Sequence, residues 1–357
     1  MFNPKRLSLA RKRRRLSSKG FAELIGMSPV TVTRLEKANN EPEPETVDLI
    51  ARKLGFPREF FFGGDIDDLG KDTASFRSLT SMTARERDAA LASGSLAYLL
   101  SDYVAGKFNL PEPKLIDLSH ERDSAAAARA LRQVWALGEQ PISSMIKLLE
   151  SKGVRVFSLA ENTKSVDAFS CWRNDTPYIF LNTFKSAERS RLDAAHELGH
   201  LILHKHGGPR QGRHAEIEAN NFASSFLMPK ADVTSRLPFV ARLDDLIVAK
   251  RRWGVSTAAL AYRLHKLRIL SDWQYRMFCI QINQRGFNTQ EPNSLPREES
   301  VVWKKVFTDL WADRISKRQV ASDLHLPPDE LENLVFGLTG SIAPPERAKG
   351  GPSLKAI

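Results

Sequence analysis

The sequence predicts a multidomain chain: an all-α helix-turn-helix unit over residues 1–64, an α+β body over 119–288, and further helices at the C-terminal end. Three observations predict this. The first sixty residues break into short apolar-periodic helices punctuated by Gly26, Ser28 and Pro29. Three short runs rich in β-branched and aromatic residues follow at 153–157, 167–172 and 178–181, as strands require. Two longer helical patterns come next, 191–204 and 215–229, and the first carries two histidines four residues apart.

The bulk composition sets the frame. At 357 residues, with 42% hydrophobic and 27% charged side chains, the chain can bury two or three cores. It has no apolar run of membrane-spanning length. The basic N-terminus is not followed by the apolar stretch of a secretory signal. Cys171 and Cys279 are its two cysteines, with no CxxC spacing, which argues against a disulfide framework and a cysteine metal site. The expectation is a cytoplasmic protein with no membrane partner. Lys and Arg outnumber Asp and Glu by 53 to 42. Lys5, Arg6, Arg11, Lys12, Arg13, Arg14, Arg15 and Lys19 crowd the first twenty residues, where there is no acid. Such a cluster suits a polyanion, because each neutralised phosphate releases condensed counterions.

Within the N-terminal unit, Ser17 and Ser18 cap a helix containing Phe21, Ala22, Leu24 and Ile25. Gly26 ends it, where the chain needs a residue tolerant of positive φ. Ser28 caps the next helix, and Pro29 occupies its first position without cost. A small residue at 22, a glycine four later and a capped helix two beyond give helix-turn-helix geometry. Val32 and Leu35 would dock the second helix. Val30, Thr31, Thr33 and Arg34 would face the DNA groove or its flanking phosphates, with Lys19, Arg11 and Lys12 along the phosphate path. The segment, including its closing run from Leu54 to Phe62, resembles the Xre/lambda-repressor-like family. Ser18 and Pro29 stand where that family usually carries glutamine. DNA is the expected partner.

Residues 65–118 are predicted to be a helical bridge. The pattern over 84–108 suits either a dimerising or domain-bridging helix, so a homodimer is one expectation, or a helix packed on its own body. Residues 290–300 have the composition of a linker. Helices return over 300–340, where a faint second helix-turn-helix pattern has His325 in place of glycine and reads as a packing element. Residues 341–357 have the composition of a disordered tail.

The chemistry concentrates in Ala195-His196-Glu197-Leu198-Gly199-His200. Histidines at i and i+4 share one helical face, so His196 and His200 can hold one metal ion. Glu197 lies roughly 100° round the helix, close enough to act as general base on a water that the ion activates. This is the HExxH arrangement of zinc peptidases, and it predicts Zn²⁺ as cofactor. His204 cannot share an ion with His196 across about 12 Å of helix, and pairing it with His200 would leave Leu201 in the base position. His206 falls at the third-histidine place of the metzincin pattern, but Leu203 stands where that pattern needs glycine. His214 has no helical partner. A glutamate on the second helix is the better third ligand, which leaves Glu216 and Glu218 as the pair to decide between.

The stretch AHELGHLILH, followed by E-x-E-A-N-x-F-A-x-x-x-L-M-P, resembles the ImmA/IrrE metallopeptidases. The resemblance also takes in 166–172, 177–182 and 253–264, so it spans roughly residues 120–270. It implies a zincin-like α+β metallopeptidase domain that cleaves a cytoplasmic repressor or regulator. Family members with an Xre-like N-terminal module are a known arrangement. The third ligand is read as Glu216, because Asn220 follows it by one turn and can hydrogen-bond a ligating histidine, whereas Phe222 takes that place after Glu218. Tyr262 is a candidate oxyanion stabiliser, with a packed core tyrosine as the plainer reading. The predicted function is therefore a zinc endopeptidase that regulates transcription and binds DNA. The alternative is a DNA-binding repressor whose peptidase-like domain senses a ligand or metal without proteolysis.

Overall fold

The computed structural model describes residues 1–38, 40–69, 83–159, 168–205 and 212–340. His206, residues 166–167 and the tail 341–357 lie outside the described residues. The N-terminal unit comprises α1 (Pro4–Arg13), α2 (Ser18–Ile25), α3 (Pro29–Glu36), α4 (Pro44–Leu54) and a 3₁₀ turn, Arg58–Phe62. Its caps are those the sequence supplies. The Ser17 side chain accepts from the Gly20 amide and Ser28 from the Thr31 amide, while Gly26 adopts φ 69°. Phe21, Ala22, Val32, Leu35 and Ile50 close the core between these helices.

One residue expected along the phosphate path, Arg11, turns inward instead, and another, Lys12, is half-buried. Arg11 is buried and donates to both carboxylate oxygens of Glu36, at 2.7 and 3.0 Å, and to the Leu16 carbonyl at 2.7 Å. A guanidinium held in that fork ties α1 to the end of α3. Lys12 shares its helix face with Lys5 and Leu9, and that face lines a cleft of about 410 Å³ with Asp65, Asp68 and Asp88.

Helix α5 (Ala84–Ala105) opens on a Thr83–Glu86 capping box and is buried along most of its length. It bridges the two halves: one side meets α1, the other meets a three-stranded sheet. That sheet holds β1 (Arg155–Ser158), β2 (Ala168–Arg173) and β3 (Thr176–Leu181) in the order β1-β3-β2, with β1 parallel and β2 antiparallel to β3. Side-chain alternation sorts the faces. Cys171 and Tyr178 contact α5 through Tyr98 and Ser101. Ser170 and Trp172, on the opposite face of β2, contact α8 (Ala187–Leu203). A layer order of α5, sheet, α8 results.

Around these lie α6 (Ser124–Val134), α7 (Met145–Ser151), α9 (Arg213–Leu227), α10 (Lys230–Arg236), α11 (Leu243–Ala249), α12 (Thr257–Lys266) and α13 (Asp272–Gln284). Residues 290–300, linker-like in composition, are instead tied along the outer side of α8. Glu188 accepts from the Leu295 amide at 2.9 Å, Arg297 reaches Ser190 at 3.2 Å, and Glu298 pairs with Arg191 while accepting from the Ile146 amide at 2.8 Å. Polar side chains at sequence-linker density have found buried partners here, as buried polar groups must.

Helices α14 (Val301–Ala312), α15 (Lys317–Asp323) and α16 (Pro328–Val335) end the described chain. His325 takes φ 55°, so it makes the left-handed turn for which glycine was expected. The Leu326 amide returns to the Ala321 carbonyl at 2.8 Å, as Met27 returns to Ala22 at 2.9 Å in the N-terminal unit. The following helix is acidic, with Asp329, Glu330 and Glu332. Glu330, only 1% exposed, accepts from Arg13 at 2.7 Å and from Arg14 at 2.5 Å. A packing role fits this contact. No helix among the described residues is long and apolar enough to cross a membrane.

Candidate metal centre

Helix α8 starts at the Ser186 cap, carries Glu188 in its first turn and buries most of its surface. Its partner, α9, comes unusually close because position 199 has no side chain. A Cβ at Gly199 would stand 3.0 Å from Phe222 and 3.3 Å from the Ala219 Cα. The close approach brings Glu216, in the first turn of α9, between two successive turns of α8.

The resulting geometry is compact. His196 Nε2 lies 3.0 Å from His200 Nε2, 3.2 Å from one Glu216 oxygen, and the other Glu216 oxygen lies 3.4 Å from His200 Nε2. These three side chains are the His/Cys/Asp/Glu group among the described residues whose ligand atoms could hold a metal. The separations match the edge of a tetrahedron, about 3.3 Å, for nitrogen and oxygen ligands roughly 2.0–2.1 Å from a central Zn²⁺. The donor set therefore fits a divalent cation. Burial opposes the Glu216 carboxylate, but hydrogen bonds from His196 and His200 outweigh it and hold its pKa below the usual carboxylate range. Burial likewise opposes the charged form of His196, yet Glu216 and Glu197 together raise its pKa above the ordinary value. The two shifts are reciprocal, since each partner favours the charged form of the other.

Asn220 follows Glu216 by one turn of α9. Its carboxamide oxygen accepts from His196 Nδ1 at 3.1 Å, which leaves Nε2 turned toward Glu216. Glu197 is buried, and the Ser170 hydroxyl donates to its carboxylate at 2.7 Å. Spacing in the sequence does not mark Ser170. The available signal was a polar residue within the apolar run Ala168–Trp172 of β2, on its buried, α8-facing side. Its neighbour Cys171 has its thiol pushed up to about 12, chiefly by burial.

The remaining candidates separate from the cluster. His214 is exposed. The Tyr262 hydroxyl donates to Asn221 at 3.4 Å, on a part of α9 turned about 100° from Asn220. Its oxyanion role has no support in that contact, and its ring packs near Tyr275 instead. Glu218, expected without a companion, has one on the other helix: it accepts from His204 Nε2 at 2.9 Å, and His204 Nδ1 lies 3.0 Å from His200 Nδ1. Helical spacing within α9 could not disclose this contact, because it depends on the phase of one helix against the other.

On the N-terminal unit, Val30 is 59% exposed, and Thr33, Arg34 and Lys19 are also open to solvent. Thr31 is half-buried with its hydroxyl 2.9 Å from Ser28, and Thr33 donates back to the Pro29 carbonyl. The outer face of α3 thus presents Val30, Thr33 and Arg34 together.

Fold and site together define a metallopeptidase-type α+β domain joined to a helix-turn-helix module. Comparison with known families agrees. Residues 149–265 match the peptidase family described as the IrrE N-terminal-like domain, and residues 7–61 match a helix-turn-helix family. The chain has the arrangement of the ImmA/IrrE metallopeptidases with an N-terminal helix-turn-helix. No curated protein matches it.

Proposed function

We propose that the chain is a cytoplasmic zinc endopeptidase that regulates transcription, cleaving a repressor or similar regulator and binding DNA through α3. The observation that carries this reading is the His196–His200–Glu216 cluster with Glu197 one residue from the first ligand. In this reading the three cluster residues hold Zn²⁺, which supplies a Lewis acid for peptide hydrolysis. Glu197 takes the proton from the attacking water and delivers it to the leaving amine. Ser170 holds the Glu197 carboxylate in place from below. Strand β2 is the sheet edge beside this site, and an extended substrate segment can add to it by backbone pairing. Asn220 fixes the tautomer of His196, with Nδ1 donating and Nε2 left for the metal.

The deciding experiment uses Glu197→Gln in the full chain. Metal content should persist, while cleavage of the natural partner falls by about 10²–10⁴-fold. The stalled variant should also retain that partner through affinity capture. Normal cleavage by Glu197→Gln would rule out the assigned base.

A further inference from the structure

The two histidines of the cluster are supported from behind by different chemistry. Behind His196 stands a neutral amide, Asn220. Behind His200 stands a chain of two groups: His204, with Nδ1 3.0 Å from His200 Nδ1, and then Glu218, 2.9 Å from His204 Nε2. The direction of this chain follows from its far end. A carboxylate only accepts, so His204 Nε2 carries the hydrogen and His204 Nδ1 is left as an acceptor. His200 Nδ1 must then be the donor, and His200 Nε2 is left bare toward Glu216. That is the tautomer a metal-ligating imidazole needs.

We propose that His204 and Glu218 are positioning residues that fix His200 in its metal-binding tautomer, and that divalent-metal affinity depends on this pair. The proposal rests on the reading of His196, His200 and Glu216 as metal ligands. Two features distinguish the pair from ordinary core packing. His204 sits at the C-cap of α8, and its side chain and that of Glu218 keep 13% and 26% of their exposure, at the margin of the site rather than inside the apolar core. The contact also makes α9 grip α8 at three successive histidines, through Asn220, Glu216 and Glu218, so the second helix sets ring orientation along the whole metal-binding face.

The test compares full-length wild type with Glu218→Ala, His204→Phe, the double variant, Glu218→Gln and Glu216→Ala. Zn²⁺ and Co²⁺ affinities are measured by competition with a chromophoric chelator, with the visible spectrum of the Co²⁺ form and the melting of the metal-free protein alongside. Expected are affinities about 10–100-fold weaker in Glu218→Ala and in His204→Phe, a double variant no weaker than the worse single, and partial recovery in Glu218→Gln, whose amide oxygen can still accept from His204. The Co²⁺ spectrum should shift while metal-free melting stays near that of wild type. Wild-type affinity in both single variants, with Glu216→Ala unable to bind, would overturn the pair and leave the ligands standing. A wild type that binds neither ion would overturn the ligand reading and the pair with it. Weaker affinity that only tracks loss of metal-free stability would show a structural role and overturn the proposal.

Discussion

In the proposed function, Glu216 and Arg34 are the side chains on which metal binding and DNA binding turn. Glu216→Ala removes the carboxylate spanning His196 and His200, so zinc retained through gel filtration should fall to background while far-UV circular dichroism is preserved. Arg34→Ala should weaken full-chain binding to duplex from its own promoter by about 1–3 kcal/mol if the guanidinium reads a base edge, or uniformly across sequences if it meets a phosphate; titration against specific and scrambled duplex separates the two. His196, Glu197 and His200 were legible from spacing along one helix, and Glu216 with Asn220 from spacing along the next, but that the second helix faces the first came from the family resemblance and not from spacing. Arg11, Ser170 and the Glu218–His204 contact were not legible, since each joins different elements and spacing says nothing about their mutual phase. Asp232 shows the same limit. It accepts from Arg252 at 2.9 and 2.7 Å and from the Trp253 indole at 2.8 Å. The Arg252 hydrogen bonds, outweighing desolvation, lower its pKa. A depressed carboxylate contributes stability that is present above its unfolded pKa and lost as pH falls through the folded value. Asp232→Asn should therefore cost about 1 kcal/mol at neutral pH and progressively less as the pH falls below the ordinary aspartate range, a trend that urea titrations across a series of acidic pH values would register.

At the scale of elements, the site depends on how closely two helices can lie. Gly199 allows α9 to bring Glu216 in, and a branched side chain there must push against Phe222 and the Ala219 backbone. Gly199→Val should destabilise by about 1–3 kcal/mol and weaken metal binding more than a comparable core change elsewhere, measured by chelator competition. The helices and strands themselves could be anticipated from caps and periodicity. The role of 290–300 could not, because a segment rich in Pro, Ser and Glu looks the same whether its side chains meet water or buried partners. Glu298 reveals which. Its removal leaves Arg191 buried without its carboxylate, so Glu298→Ala should cost about 3 kcal/mol in chemical denaturation, without touching a metal ligand.

Across the whole molecule, α5 and the C-terminal helices join the DNA-facing unit to the body. The two-part organisation was readable from composition and motifs, whereas the docking between the parts was hidden in Arg13, Arg14 and Glu330, which lie some three hundred residues apart. Glu330 neutralises charge on α1 that a bare N-terminal unit would display. A fragment comprising residues 1–64 should thus be a stickier polycation than the intact chain: its non-specific duplex affinity should fall more steeply with salt, by up to about two units of log–log slope, although α3 is unaltered. Measured side by side, the fragment would overstate the grip and understate the discrimination of the protein in the cell. The far end of the chain acts as a built-in counterion, keeping part of the module's positive charge out of the contest for DNA.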